Sequence, residues 1–355
     1  MEKIIKKLTE FSWLFGLILL GQGCADDFGE VIQTQNSVLP QKGIFILNEG
    51  NFTHASGSLS VYDVDSMAVY NNMFYQFNQR PLGDVPNFME IRDTLAYIVI
   101  NNSARIEVVS MNTLQSVATI NGFRSPREIL FTDDNKAYVS DLYSDSLALV
   151  NTEIFAITGY IDAGRTTENL LLSSGYVFAN NWSDYAHPTV ENNVVVVVDA
   201  KTDRIVKKIR VGKEPNSIVQ TVSGIFVLCS GGFEGTIPAS VWKIEAESLN
   251  GELVYTFPNV TGSPKNLIYD EINNQLFFIN QDIYQVDLNQ TVFKPEIFIT
   301  ANDRLFYALA IEDDLVCISD AIDYQQRGLV YFYSKQGILI DSIRTGINPG
   351  FFKRF

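Results

Sequence analysis

Cysteine and histidine are nearly absent from this chain. Three cysteines, Cys24, Cys229 and Cys317, and two histidines, His54 and His187, among 355 residues leave no Cys/His cluster at metal-ligand spacing, which gives a structural zinc site no support. Tryptophan is almost as scarce, at three, with Trp13 close to the N-terminus. Basic residues are outnumbered, 26 Lys and Arg against 41 Asp and Glu, and the resulting net charge of −15 argues against a nucleic-acid partner, whose phosphates need a basic surface. No Ser-His-Asp arrangement or His/Glu zinc motif is recognisable. The apolar run Phe11 to Leu20 is too short for a comfortable membrane span, which takes roughly 20 residues.

What the chain does have is a repeat. Ser125 to Asp162 reads as four short strands, Ile129–Thr132, Lys136–Ser140, Ser146–Asn151 and Ile157–Ile161, rich in apolar and β-branched residues and separated by turn formers such as Asp133-Asp134-Asn135. The same pattern returns behind Pro86, Thr167, Pro215 and Pro264, then at Arg304–Tyr307 and Asn348–Phe352, each taken as the lead-in to a first strand. A spacing of about 40 to 50 residues is the period of a four-stranded propeller blade, which hides its two faces against its neighbours. The last lead-in comes too late for a new blade, because the chain stops at Phe355. The first repeat begins directly with a second-strand sequence, Ile44–Leu47, followed by Ser58–Asp63. The two halves complement each other. The expected fold is all-β, a seven-bladed propeller over 43–355 whose first blade is closed by Phe351–Phe355, so that no sheet edge is left unpaired. Cys229 and Cys317 then fall in blades that are not neighbours, which argues against a disulfide.

Residues 1–23 read as a secretory signal, with Lys3, Lys6 and Lys7 ahead of the apolar core. Gly21-Gln22-Gly23-Cys24 resembles a bacterial lipobox, with Gly where Leu is usual; the resemblance implies lipidation at Cys24, and the alternative is an ordinary signal with a coincidental cysteine. Residues 24–42 would be a linker, whose acidic start, Ala25–Glu30, resembles the tethers that send lipoproteins to the outer face of the outer membrane.

Asn48-Glu49-Gly50-Asn51 with Gly57–Asp63, and the later strings Ala96–Asn102 and Ala137–Asp141, resemble the repeats of YncE-like, YVTN-type propeller lipoproteins. The family includes surface lipoproteins that capture cobalamin and related corrinoids for a TonB-dependent outer-membrane transporter. The resemblance therefore implies capture and delivery without chemistry: no cofactor required, a corrinoid as bound ligand, a transporter as partner, and a lipid-anchored, surface-exposed location. Two other readings stay open. One is an accessory propeller subunit of a different uptake complex, for a glycan or another ligand. The other is a calcium-dependent, lactonase-like enzyme using carboxylates and amides at the channel, such as Glu128, Glu168, Asn169 and Asn216. Quinone-dependent propellers use repeated tryptophans, and that pattern is missing.

In a propeller, the loops from second to third strand and from fourth to next first strand gather on one face around the central channel. Here the former are long in repeats one, four, five and seven, and long loops are more often functional than connective. They carry Asn51, Phe52 and His54; Asn181, Trp182, Tyr185 and His187; Phe233; and Tyr324 and Gln325. Aromatic faces with amides around them suit a large flat ligand fringed by amides, although each residue alone can equally be a solvated loop side chain. Either histidine is a candidate axial ligand for cobalt. Arg127, Asn169 and Asn216, with Lys265 and Asn266, either line the channel mouth or form a solvated rim.

Overall fold

The computed structural model describes residues 39–183, 192–232 and 234–355. Residues 1–23 with the proposed signal, Cys24, most of the linker, Tyr185, His187 and Phe233 lie outside the described residues.

Seven four-stranded antiparallel sheets make up the fold. Blade 1 is β28 (Pro349–Arg354), β1 (Gly43–Asn48), β2 (Ser58–Asp63) and β3 (Ala68–Tyr70). Blade 2 holds β4 (Pro86–Arg92) to β7 (Ser116–Asn121), and blade 3 β8 (Pro126–Phe131) to β11 (Ala156–Asp162). Blade 4 runs from β12 (Leu170–Ser173) to β15 (Arg204–Arg210) and blade 5 from β16 (Pro215–Thr221) to β19 (Asn250–Thr256). Blade 6 comprises β20 (Lys265–Asp270), β21 (Gln275–Asn280), β22 (Asp282–Asp287) and β23 (Glu296–Ile299), and blade 7 β24 (Phe306–Glu312) to β27 (Leu339–Ile347). The C-terminal strand closes the ring as expected, pairing antiparallel with β1 from Ile44 opposite Arg354 to Asn48 opposite Pro349.

Second and third strands are apolar on both faces because blades stack on both sides of them. The Val195–Val198 run and Ile98–Ile100 are fully buried. Apolar clusters join successive blades, with Tyr97, Val99 and Val108 of blade 2 packed with Ile129, Val139 and Val150 of blade 3. Ile44, Ile46 and Phe352 of blade 1 pack with Cys317, Val330 and Phe332 of blade 7. Cys229 and Cys317 are free and buried in β17 (Gly224–Cys229) and β25 (Leu315–Asp320). Burial pushes the Cys229 thiol up to about 12, so it serves as a small apolar side chain.

Two details differ from the sequence reading. Four of the lead-in prolines do not precede the first strands: Pro86, Pro126, Pro215 and Pro349 are their first residues, whereas Pro264 does stand just ahead of Lys265, the start of β20. Proline is tolerated there because a bulge follows, with register shifts between Pro86 and Phe88, Pro126 and Ile129, and Pro215 and Ser217. The link from blade 1 to blade 2 also contains a short helix, α1 (Met73–Asn78), that the strand pattern does not announce. Met73 and Phe74 are buried, and Asn78 donates to the Leu114 carbonyl at 2.8 Å.

Candidate functional site

The bulges decide what reaches the centre. Each blade offers one residue immediately after its lead-in position, and around the ring these are Asn87, Arg127, Glu168, Asn216, Lys265, Tyr307 and Gly350; six of the first strands carry a bulge, and in blade 4, without one, Glu168 stands two residues ahead of β12. A bulge kinks the strand and re-aims its side chains, here toward the channel. Neighbouring positions then bond across blade boundaries. The Asn87 amide donates to the Arg127 carbonyl at 2.8 Å, and Arg127 donates through Nε and Nη2 to Glu168 Oε1 at 2.7 and 2.6 Å. Beside this pair, Glu128 accepts from Asn169 Nδ2 at 2.6 Å and from the Leu170 amide at 2.8 Å. Further round, Asn180 donates to the Pro215 carbonyl at 3.0 Å and Asn216 to that of Pro264 at 2.7 Å. Lys265 Nζ stands 4.7 Å from the centre of the Tyr307 ring, and the Tyr307 hydroxyl donates to Glu49 Oε2 at 2.6 Å. Gly350 leaves room for Glu49, because a β-carbon there would collide with the Glu49 carboxylate.

Asparagine or aspartate at the end of the second strand fixes the loops above this ring. Asp141 accepts from the backbone amides of Arg124, Ser125 and Tyr143, and Asp320 does the same for Leu305 and Ile322. Asn101 donates to Ser125 Oγ and to the Pro126 carbonyl of the next blade. These are the terminal Asn and Asp of the repeated strings, and their role is to hold each lead-in in place.

Three carboxylates, Glu49, Glu128 and Glu168, thus face Arg127 and Lys265 in a low-dielectric enclosure. Burial raises the Glu49 carboxyl above its ordinary value against the opposing Tyr307 hydrogen bond, and it lowers Lys265 against the attraction of Glu49. Burial likewise pushes Glu128 up to about 7, with the Glu168 charge adding to it and the Asn169 and Leu170 hydrogen bonds opposing. A carboxylic acid raised in the fold contributes stability below its unfolded value and loses it as pH rises through the folded value. A carbon-13 carboxyl titration should therefore show Glu128 ionising near pH 7, with stability from this group falling between about 4.5 and 7. A midpoint at the ordinary value of 4.5 would mean that the enclosure is wetter than the geometry implies.

The structure brings the sequence candidates together in part. Phe52 and His54 project from the blade 1 loop and Tyr324 and Gln325 from the blade 7 loop, all exposed, with Phe52 at 63% and Tyr324 at 47%. Asn348 joins these two loops by donating to the Gly50 carbonyl at 3.0 Å and the Tyr324 carbonyl at 3.5 Å. Tyr324 meets Tyr307 edge-on at 5.8 Å and so links rim and channel. Asn51 closes a turn, its carbonyl accepting from the His54 amide, and Asp84 pins the loop through the Thr53 amide at 2.8 Å. His54 Nδ1 donates to the Phe52 carbonyl at 2.9 Å. Blade 4, carrying Trp182, stands across the ring from the junction of blades 7 and 1. Asn181, by contrast, is fully buried with its amide donated to Thr166, and Arg127, Asn169 and Asn216 hold neighbouring blades together as well as lining the channel.

Glu49 and Tyr307 complete the channel mouth beside Glu128, and sequence reasoning placed neither of those two among the binding residues. For Tyr307 the signal was present in the residue after each lead-in, which reads as a ring only once the bulges are known; Glu49, just past the second strand of blade 1, carried no such signal. Among the described residues no group of three or more His, Cys, Asp or Glu side chains could hold a metal ion. Arg127 occupies the place where a cation would neutralise Glu168. Among the same residues no helix is long and apolar enough to cross a membrane.

A family profile described as "Domain of unknown function (DUF5074)" matches residues 42–346. No curated protein matches the chain in sequence. Solved structures share the fold at low identity. A quinonprotein alcohol dehydrogenase-like protein from Bacteroides thetaiotaomicron superposes with a TM-score of 0.68 at 14% identity, over 87% of this chain and 77% of its own. The periplasmic gluconolactonase PpgL of Pseudomonas aeruginosa gives 0.65 at 12%, over 88% and 99%. Apo AztD from Citrobacter koseri gives 0.54 at 10%, over 88% and 97%.

Proposed function

The chain belongs to the DUF5074 family, and from its channel mouth we propose a non-catalytic binding module that captures a small amide-fringed ligand and hands it on unchanged. A corrinoid such as cobalamin is the ligand of choice, delivered to a TonB-dependent outer-membrane transporter from a lipid anchor at Cys24 on the cell surface. One observation carries this reading. The polar groups of the channel are largely engaged with one another, Arg127 in an ion pair with Glu168 and the Tyr307 hydroxyl in a hydrogen bond to Glu49, so the floor is polar. Exposed aromatic side chains, Phe52 and Tyr324, stand on one side of the ring, and Trp182 belongs to blade 4 on the other. A flat ligand with apolar faces and peripheral amides matches that arrangement, and delivery intact needs no nucleophile.

Binding to the folded state alone stabilises by RT ln(1 + [L]/Kd), about 4 kcal/mol at a thousandfold excess, which moves the melting temperature by several degrees. Thermal unfolding of the chain from Asp26, with and without cobalamin, is expected to show a rise that grows with ligand concentration. A melting temperature unmoved at cobalamin concentrations far above micromolar would sink the corrinoid assignment.

A further inference from the structure

A second cavity lies between blades 5 and 6, bounded by β19, the irregular link 257–264 and the β21–β22 hairpin, with a volume of about 430 Å³. That is within the range of small-molecule sites, about 300–1,000 Å³. Its lining includes no Asp, Glu, Lys, Arg or His, in a chain of which 19% is charged. A charged ligand would find no counter-charge there. Tyr255, Asn259, Thr261, Asn280, Gln281 and Tyr284 supply hydroxyls and amides instead, and among the described residues none of these six side chains is hydrogen-bonded within the protein. The channel amides differ, since Asn87, Asn169 and Asn216 each donate to a neighbouring blade.

The groups are also held in place. Tyr284 stacks on buried Phe278 at 5.5 Å and an interplanar angle of 6°. Tyr255 is wedged between Phe257 at 5.1 Å and Phe293 at 5.3 Å. Gln281 is the single residue between β21 and β22 and adopts a left-handed conformation, φ 64°, that sets its side chain at the rim. Gly262 lets the link lie against Asn280, where an added β-carbon would come within 2.7 Å of the amide oxygen. On its inner side the cavity is walled by Pro264, the acceptor for Asn216.

We propose that this cavity binds a neutral saccharide. Amides and hydroxyls both donate and accept, as vicinal sugar hydroxyls do, and the ring packing of Tyr255 and Tyr284 fixes where their hydroxyls stand. The site is independent of the channel ligand and stands or falls separately from it.

Saturation-transfer NMR on the intact chain with maltose, cellobiose, lactose and chitobiose, each up to about 10 mM, tests the assignment in the millimolar range where a single weak site is detectable. At least one of these sugars is expected to bind saturably, while glucuronic acid and N-acetylneuraminic acid do not. Gly262→Ala, which displaces the Asn280 amide without straining the backbone, and Asn280→Asp should each weaken binding about tenfold or more. Thermal unfolding checks that both variants fold, and Gln281→Glu at the exposed rim replaces either that does not. No signal from any of the four neutral disaccharides, preference for the acidic sugars, or binding unchanged in the folded variants would each overturn the proposal.

Discussion

Deletion of Pro349–Phe355 is expected to leave a chain that does not fold to a soluble monomer. Strand β28 is the inner strand of blade 1 and covers the backbone edge of β1. It also supplies Phe352, 4% exposed, to the cluster shared with blade 7, sets Phe355 on Phe45 at 4.2 Å, and brings Phe351 to Phe88 of blade 2 at 5.0 Å. Phe352 buried at about 1.5–3 kcal/mol, with two half-buried aromatic side chains contributing less each, comes to several kcal/mol, and the whole stability of a domain is of order 5–15 kcal/mol. The truncated chain would expose Ile44 and Ile46, otherwise fully buried, beside an unpaired strand edge, which is an aggregation site. Size-exclusion chromatography and circular dichroism decide the matter. A monomeric truncation that melts with the full chain would show that closure is dispensable. Phe352→Ala is the graded version, at a cost of about 3–5 kcal/mol.

Arg127→Met should have the second largest effect, and it is informative about the channel. Glu168, 7% exposed, would lose the guanidinium that bonds its Oε1, while its Oε2 already has no hydrogen-bond partner. Breaking a buried pair by removing one partner costs about 3–5 kcal/mol, and since the Arg127 side chain keeps 21% of its exposure the lower end is expected. About 3 kcal/mol lowers the melting temperature by roughly 5–10 °C for a domain of this size. Arg127→Met/Glu168→Met, which removes the stranded charge together with its partner, should recover most of the deficit. If the single variant melts with wild type at pH 8, the pair is solvated and the channel is wetter than its geometry implies.

How far the sequence carried can be judged at particular residues. Ser146–Asn151 is read to the residue, because a run of apolar and β-branched side chains between Asp-rich turns has no other low-energy local form. The circular closure was legible too, since a first repeat lacking one strand and a tail carrying one extra can be reconciled only by pairing them. Helix α1 was not, because its six residues have no periodicity long enough to register and are held by packing of Met73 and Phe74. The strand beginning at Pro126 rather than Ile129 was missed for a related reason, as a bulge is a property of two paired strands and not of either alone.

The candidate site divides in the same way. Length and composition of the loops were enough to single out Phe52, His54, Tyr324 and Gln325, which the fold does leave exposed at adjoining corners of blades 1 and 7. Burial of Asn181 was not legible, since an amide in a long loop reads alike whether it faces solvent or bonds Thr166. What the sequence determined by itself was the blade, its sevenfold repetition and its closure, because strand period and turn chemistry act over a few residues. What only the tertiary structure decided was the channel. Arg127 meets Glu168, and Tyr307 meets Glu49, across separations of 41 and 258 residues; the first contact needs blades 3 and 4 to stack, and the second exists only after the ring has closed.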